Sequence, residues 1–178
     1  LNIMSKTAHS TGFADDGCIL VAGKRPVIAR NIAQKAVNEV IEWGRANGLQ
    51  FNAAKTEVIQ FKRNKIGQPP RIIIEGVKIP FTKQVKYLGV EITHNLNWTP
   101  HIKKMADKAK GKIFAAQRLV GRRYGAKPEL MHWIWTGCIM RVMLYCSHVW
   151  AMSLTASQQK LLLKTSRLAL INIAHTHK

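Results

Sequence analysis

The chain has very little negative charge: 9 Asp and Glu stand against 28 Lys and Arg, a formal charge of +19 over 178 residues. The basic residues recur in every segment, so the excess calls for a polyanionic partner, and nucleic acid leads the choice. A basic protein of the membrane surface would instead gather its Lys and Arg on one amphipathic helix. Cysteine is also scarce. Cys18, Cys138 and Cys146 make no CxxC pair and no histidine stands at zinc-ligand spacing, which argues against a disulfide framework and a metal finger. The longest apolar run, Trp133 to Cys146, is too short to span a bilayer and contains Arg141. These absences predict an intracellular protein, nuclear or cytoplasmic and not secreted, with no membrane partner. The opening Leu1-Asn2-Ile3 has neither an initiator Met nor signal-peptide character, which predicts a cut through a longer chain.

What is present suffices for a core, with 47% of residues hydrophobic. His9 to Ala14 and Cys18 to Ala22 read as strands flanking Asp15-Asp16-Gly17, with Gly17 supplying the positive φ of a tight turn. From Val27 to Asn47, the residues Ile28, Ile32, Ala36, Val37, Val40 and Ile41 recur at helical spacing, and Gly48 follows as terminator. Glu57 to Phe61 is the next strand. Arg71 to Ile74 and Val77 to Ile79 pair around Glu75-Gly76, Val85 to Ile92 forms one further strand, and Lys62 to Pro70 is a basic loop.

After Asn97 the pattern is helical. Thr99-Pro100 caps and opens a helix with Ile102, Met105, Ala106, Ala109, Ile113 and Phe114 on one face. Gly121 to Gly125 breaks the chain, and Pro128 opens a helix to about Leu144. Thr155 and Gln158 form the capping box of a last helix through Leu161, Leu162, Leu168 and Ile171. Trp133, Trp135 and Trp150 are assigned to the core. The fold class is α+β, mixed over residues 1–95 and all-helical over 96–178.

Phe13-Ala14-Asp15-Asp16 carries the chemistry. Adjacent carboxylates on a tight turn can hold a divalent metal, although such a pair also suits a solvated turn. After it come an amphipathic helix, Gly48-Leu49-Gln50-Phe51-Asn52-Ala53-Ala54-Lys55-Thr56-Glu57, and Val85-Lys86-Tyr87-Leu88-Gly89-Val90. That order resembles the C, D and E motifs of non-LTR retrotransposon reverse transcriptases, LINE-type and jockey-related. Leu96-Asn97-Trp98, His101-Ile102, Gly125-Ala126-Lys127-Pro128, Leu144-Tyr145 and Val149-Trp150 resemble the region that follows the palm in the same elements.

The resemblance implies a partial polymerase palm, antiparallel hairpins with a packed helix, over 1–95 and a thumb-like region over 96–178. It implies Asp15 as principal ligand of Mg²⁺ or Mn²⁺ with Asp16 beside it, in two-metal nucleotidyl transfer. Phe13 stands where many relatives have Tyr. Lys55 matches a lysine that protonates or neutralises departing pyrophosphate, and Tyr87, Leu88 and Gly89 match a primer grip. Lys103, Lys104, Lys108, Lys110, Lys112, Arg118, Arg122 and Arg123 suit phosphate contacts without base discrimination. Asn52 is expected to brace the turn before Lys55. The earlier palm aspartate and the fingers are not in the sequence. The expected whole is therefore an RNA-directed DNA polymerase whose parent takes an RNA template, a DNA primer, deoxynucleotides and the missing N-terminal part of the same polyprotein. This piece alone is expected to be inert and prone to self-association. The alternative is a catalytically dead, basic nucleic-acid-binding remnant.

Overall fold

The computed structural model describes residues 8–61, 71–119 and 128–175. It divides into two compact units, Leu1–Gly89 with Thr93–Leu96 and Val90–Ile92 with Asn97–Lys178. The predicted loop Lys62 to Pro70, the break Gly121 to Gly125, Arg122 and Arg123 lie outside the described residues. The architecture is mixed, small hairpins and a helix in the first unit and helices in the second.

In the first unit, β1 (Ala8–Phe13) and β2 (Asp16–Val21) pair antiparallel with Phe13 opposite Asp16. The turn is therefore Ala14-Asp15, not Asp15-Asp16-Gly17. Ala14 takes the positive φ, 54°, while Gly17 sits in the ladder opposite Gly12. Register, not the position of the glycine, fixes where a two-residue turn falls.

Helix α1 (Pro26–Ala46) begins on a proline and ends as the spacing predicts. Gly48, at φ 70°, donates its N–H to the Arg45 carbonyl, and Leu49 donates to that of Gly44 at 2.8 Å, a Schellman closure. Its Ala33, Val37 and Ile41 pack on Ile72, Ile74 and Ile79, joined by Ala53 and Val58. Ile28, expected on the same stripe, is 47% exposed.

Strand β3 (Val58–Ile59) follows, then β4 (Ile72–Ile74) and β5 (Val77–Ile79). The β4–β5 turn places Glu75 at φ 48° and Gly76 at φ 82°, both left-handed as a type I′ turn requires. Strand β6 (Phe81–Thr82) pairs with β3 in parallel, a crossover that local alternation does not encode. The expected single strand Val85 to Ile92 is broken. Leu88 at φ 45° and Gly89 at φ 82° end β7 (Gln84–Tyr87) before β8 (Val90–Thr93) begins.

The second unit contains α2 (Thr99–Leu119), α3 (Pro128–Ile134), α4 (Met140–Met143), α5 (Ser147–Trp150) and α6 (Ala156–His175). Asn97, not Thr99, offers the side-chain oxygen at the start of α2, accepting from the Thr99 N–H at 3.0 Å. Ala109, Ile113, Trp135, Ile139, Met143 and Ala169 converge in one cluster; Val90, Trp98, Ile102 and Trp150 form another. Phe114, Trp133 and Ile171, expected inside, are 48%, 65% and 42% exposed. In stretches this rich in apolar residues, pattern alone does not fix the phase.

Helices α3 and α4 run on through a π turn, Trp135–Ile139. A straight α-helix advances about 40° with every four residues, so Met131, Trp135, Ile139 and Met143 would spread over about 120°. The wider turn takes up that drift, and all four side chains are buried. The Thr136 hydroxyl donates to the His132 and Trp133 carbonyls there.

Candidate functional site

Asp15 lies at the first hairpin's turn and Asp16 opens β2, both exposed. Among the described residues neither forms an ion pair, and no group of three or more His, Cys, Asp or Glu comes together. Two hard carboxylates still fit a metal of the Mg²⁺ kind, which commonly takes one or two protein carboxylates with substrate phosphates and water filling the rest.

Tyr87 belongs to the same neighbourhood. Its phenol pKa is raised by burial first, and then by the negative charge of Cys18 and of Asp16. Burial also pushes up the Cys18 thiol, two residues along β2 from Asp16. Leu88 is exposed, and the left-handed conformation of Gly89 gives that glycine a local reason in the turn.

Lys55 closes a 3-10 turn, Ala53–Lys55. Asn52 braces it as expected, its Oδ1 accepting from the Ala54 N–H at 2.9 Å, while the Thr56 hydroxyl donates to the Asn52 carbonyl at 3.0 Å. Just before this turn the Phe51 ring lies against Gly44, where a Cβ would stand 2.5 Å from it. The Lys55 side chain is exposed and makes no ion pair with Asp15 or Asp16.

In the second unit Lys103, Lys104 and Lys108, with Pro100 and Asp107, line an open groove of about 550 Å³. Its lysines are not equivalent. Glu91 of β8, 8% exposed, holds Lys104, and Asp107 pairs with Lys110 at 3.0 Å. Lys103, Lys108, Lys112 and Arg118 have no ion pair among the described residues. Sequence reasoning missed Glu91, because nothing local links a strand acid to a helix lysine 13 residues on.

The sequence likewise marks His101 only as part of a motif. It is fully buried, its Nδ1 accepts from the Glu91 N–H at 3.3 Å, and its ring stands edge-on to Trp150 at 6.1 Å. Burial lowers its pKa, the Tyr145 carbonyl and Glu91 oppose that, and Lys104 and Lys108 reinforce it. Among the described residues no helix is long and apolar enough to cross a membrane.

No family model matches the sequence, and no solved structure matches it. Curated relatives do. A Pol polyprotein of the type-1 retrotransposable element R1 from Bradysia coprophila is 26% identical over 169 residues, 92% of this chain and 17% of that polyprotein. Its counterpart from Nasonia vitripennis is 27% identical over 143 residues, 78% of this chain and 42% of its own length. The RNA-directed DNA polymerase of the mobile element jockey from Drosophila melanogaster is 24% identical over 111 residues, covering 62% of this chain and 12% of the polymerase. The homologues of this chain are thus non-LTR retrotransposon polyproteins and RNA-directed DNA polymerases, and the chain spans under half of each.

Proposed function

We propose that the chain is part of an RNA-directed DNA polymerase of a non-LTR retrotransposon, residues 1–95 contributing to the palm and 96–178 forming a thumb-like region. The observation that carries this is the pair of adjacent exposed carboxylates at the first hairpin's turn, with Tyr87 in electrostatic reach of Asp16, in a chain with such homologues. Asp15 and Asp16 would hold Mg²⁺ or Mn²⁺, together with an acid from another part of the polyprotein. When bound, the metals activate the primer 3′ hydroxyl and neutralise charge on the transferring phosphate.

The chain's own residues do the rest. Lys55 donates a proton to the departing pyrophosphate, a task suited to an ammonium that carries three donors on a long flexible stem. The Tyr87-Leu88-Gly89 turn bears on the primer strand. Lys103 and Lys108 contact phosphates of the template–primer duplex, while Lys104 is partly engaged by Glu91. The isolated chain is catalytically inert.

Primer extension on an RNA template, by the longer polyprotein that includes this chain, tests the reading. Asp15→Asn and Asp16→Asn should abolish extension, and Lys55→Ala should slow it about 10²- to 10⁴-fold. Wild-type rates in Asp15→Asn would sink the proposal. A second reading, a dead nucleic-acid-binding remnant, draws on the charge of +19. It predicts salt-sensitive binding indifferent to both aspartates, and no extension by any longer form.

A further inference from the structure

We infer that the outward face of α6 is a second nucleic-acid-binding surface, separate from the lysines of α2. At about 100° per residue, Lys160, Lys164 and Arg167 fall within a sector of about 60°. That sector lies opposite Gln158, Thr165 and Ala169, the buried residues of α6. All three basic side chains are exposed. Helix α6 contains no Asp or Glu, and none of the three has an ion pair among the described residues. On α2, by contrast, Lys104 and Lys110 are engaged by Glu91 and Asp107. The basic face on α6 is therefore the less neutralised of the two.

From Lys160 to Arg167 the helix rises about 10 Å, and side chains of this length can fan out from it over neighbouring phosphates. Three long cationic side chains over that distance match successive phosphates and read no bases. Both helices pack against the same core through Ala109, Ile113 and Ala169, and each carries exposed basic residues away from that core. Two such faces allow the unit to hold two stretches of nucleic acid.

A lipid surface fits less well. Of the large exposed apolar residues of α6, Leu163 and Leu170 sit on one shoulder and Ile171 lies among the basic residues, so charge and apolar surface are interleaved, whereas an interfacial helix centres one apolar stripe on the membrane and keeps its charges at the margins. The inference rests on the proposed function only for the identity of the polyanion.

The test measures binding of the intact chain to a short DNA duplex over a range of salt concentrations. Replacing Lys160, Lys164 and Arg167 together by Gln should leave the circular dichroism unchanged, since Gln is as good a helix former as Lys. It should reduce the slope of log affinity against log salt by about 2 to 3 units, at about 0.9 for each phosphate no longer neutralised. The triple variant Lys103→Gln, Lys108→Gln, Lys112→Gln should reduce it separately, and the two reductions should add. A slope unchanged by the α6 variant overturns the inference. So does a variant that keeps its DNA binding but no longer sediments with phosphatidylserine vesicles. A failure of the polyprotein to extend primers would count against the polymerase reading alone.

Discussion

The side-chain amide of Gln34 on α1 serves Ile73 of β4 as a neighbouring strand would: Nε2 donates to the Ile73 carbonyl at 2.7 Å, and Oε1 accepts from the Ile73 N–H at 2.8 Å. One helix residue thus satisfies both backbone polar groups of Ile73, in a strand whose only ladder partner among the described residues is β5, and blunts an edge that would otherwise invite another chain. Gln34→Ala should cost about 1 kcal/mol, since the two exposed hydrogen bonds it removes are replaced by bonds to water. It should also raise the exchange rate of the Ile73 amide selectively. Unchanged protection at Ile73 would refute the strand-mimic role.

How far the sequence is legible follows the range of each interaction. Helix α1 ends where Gly48 predicts, and α6 starts at its Thr155–Gln158 box, because caps are local chemistry. The first turn is displaced from its expected place because Ala14, a residue with no marked turn preference, takes the left-handed position. The break at Leu88 escapes the pattern for the same reason, and Trp133 reads as core because its neighbours are equally apolar. In the candidate site, Asp15, Asp16, Lys55 and Tyr87 are legible as positions in motifs. The nearness of Tyr87 to Asp16, the grip of Glu91 on Lys104 and the burial of His101 arise from tertiary packing, which no window of sequence contains.

Gln158 is a second shared amide, and it joins two helix starts. Its Oε1 accepts from the Thr155 N–H at 2.9 Å in the capping box of α6, while its Nε2 donates to the Thr99 hydroxyl at 2.9 Å and to Asn97 Oδ1 at 3.3 Å. Gln158→Glu keeps the acceptor and loses the donor. Gln158→Ala loses both, so urea denaturation should rank wild type above Glu and Glu above Ala, with the full loss about 2 to 3 kcal/mol. A Gln158→Glu variant as stable as wild type would mean that the link to α2 contributes nothing.

Leu88 holds φ 45° without being glycine, a conformation that costs an ordinary side chain about 1 kcal/mol. Asn-Gly is a favoured pair for a turn left-handed at both centres, so Leu88→Asn should stabilise the chain by up to that amount. If the exposed leucine meets the primer strand, the same substitution should lower primer extension by the polyprotein while raising stability. Extension that rises along with stability would give Leu88 a purely structural place.

His101 predicts a pH dependence for the second unit. Its pKa in the folded chain is lowered from 6.5, so below about pH 6.5 the unfolded chain takes up a proton that the folded one resists. The stabilisation is fully present above that pH. It is lost progressively as pH falls through 6.5 towards the folded value, and it levels off once the folded imidazole protonates as well. His101→Gln removes the titration and can still offer an acceptor to the Glu91 N–H. Near neutral pH wild type should be the more stable of the two, by amide exchange in α2 around the buried Ile102 and Ala106. The gap should narrow steadily as the solution is acidified below about pH 6.5. A gap that stays constant from neutral to mildly acidic pH would show that burial of His101 exerts no proton linkage, and the imidazole would then matter only as packing against Trp150.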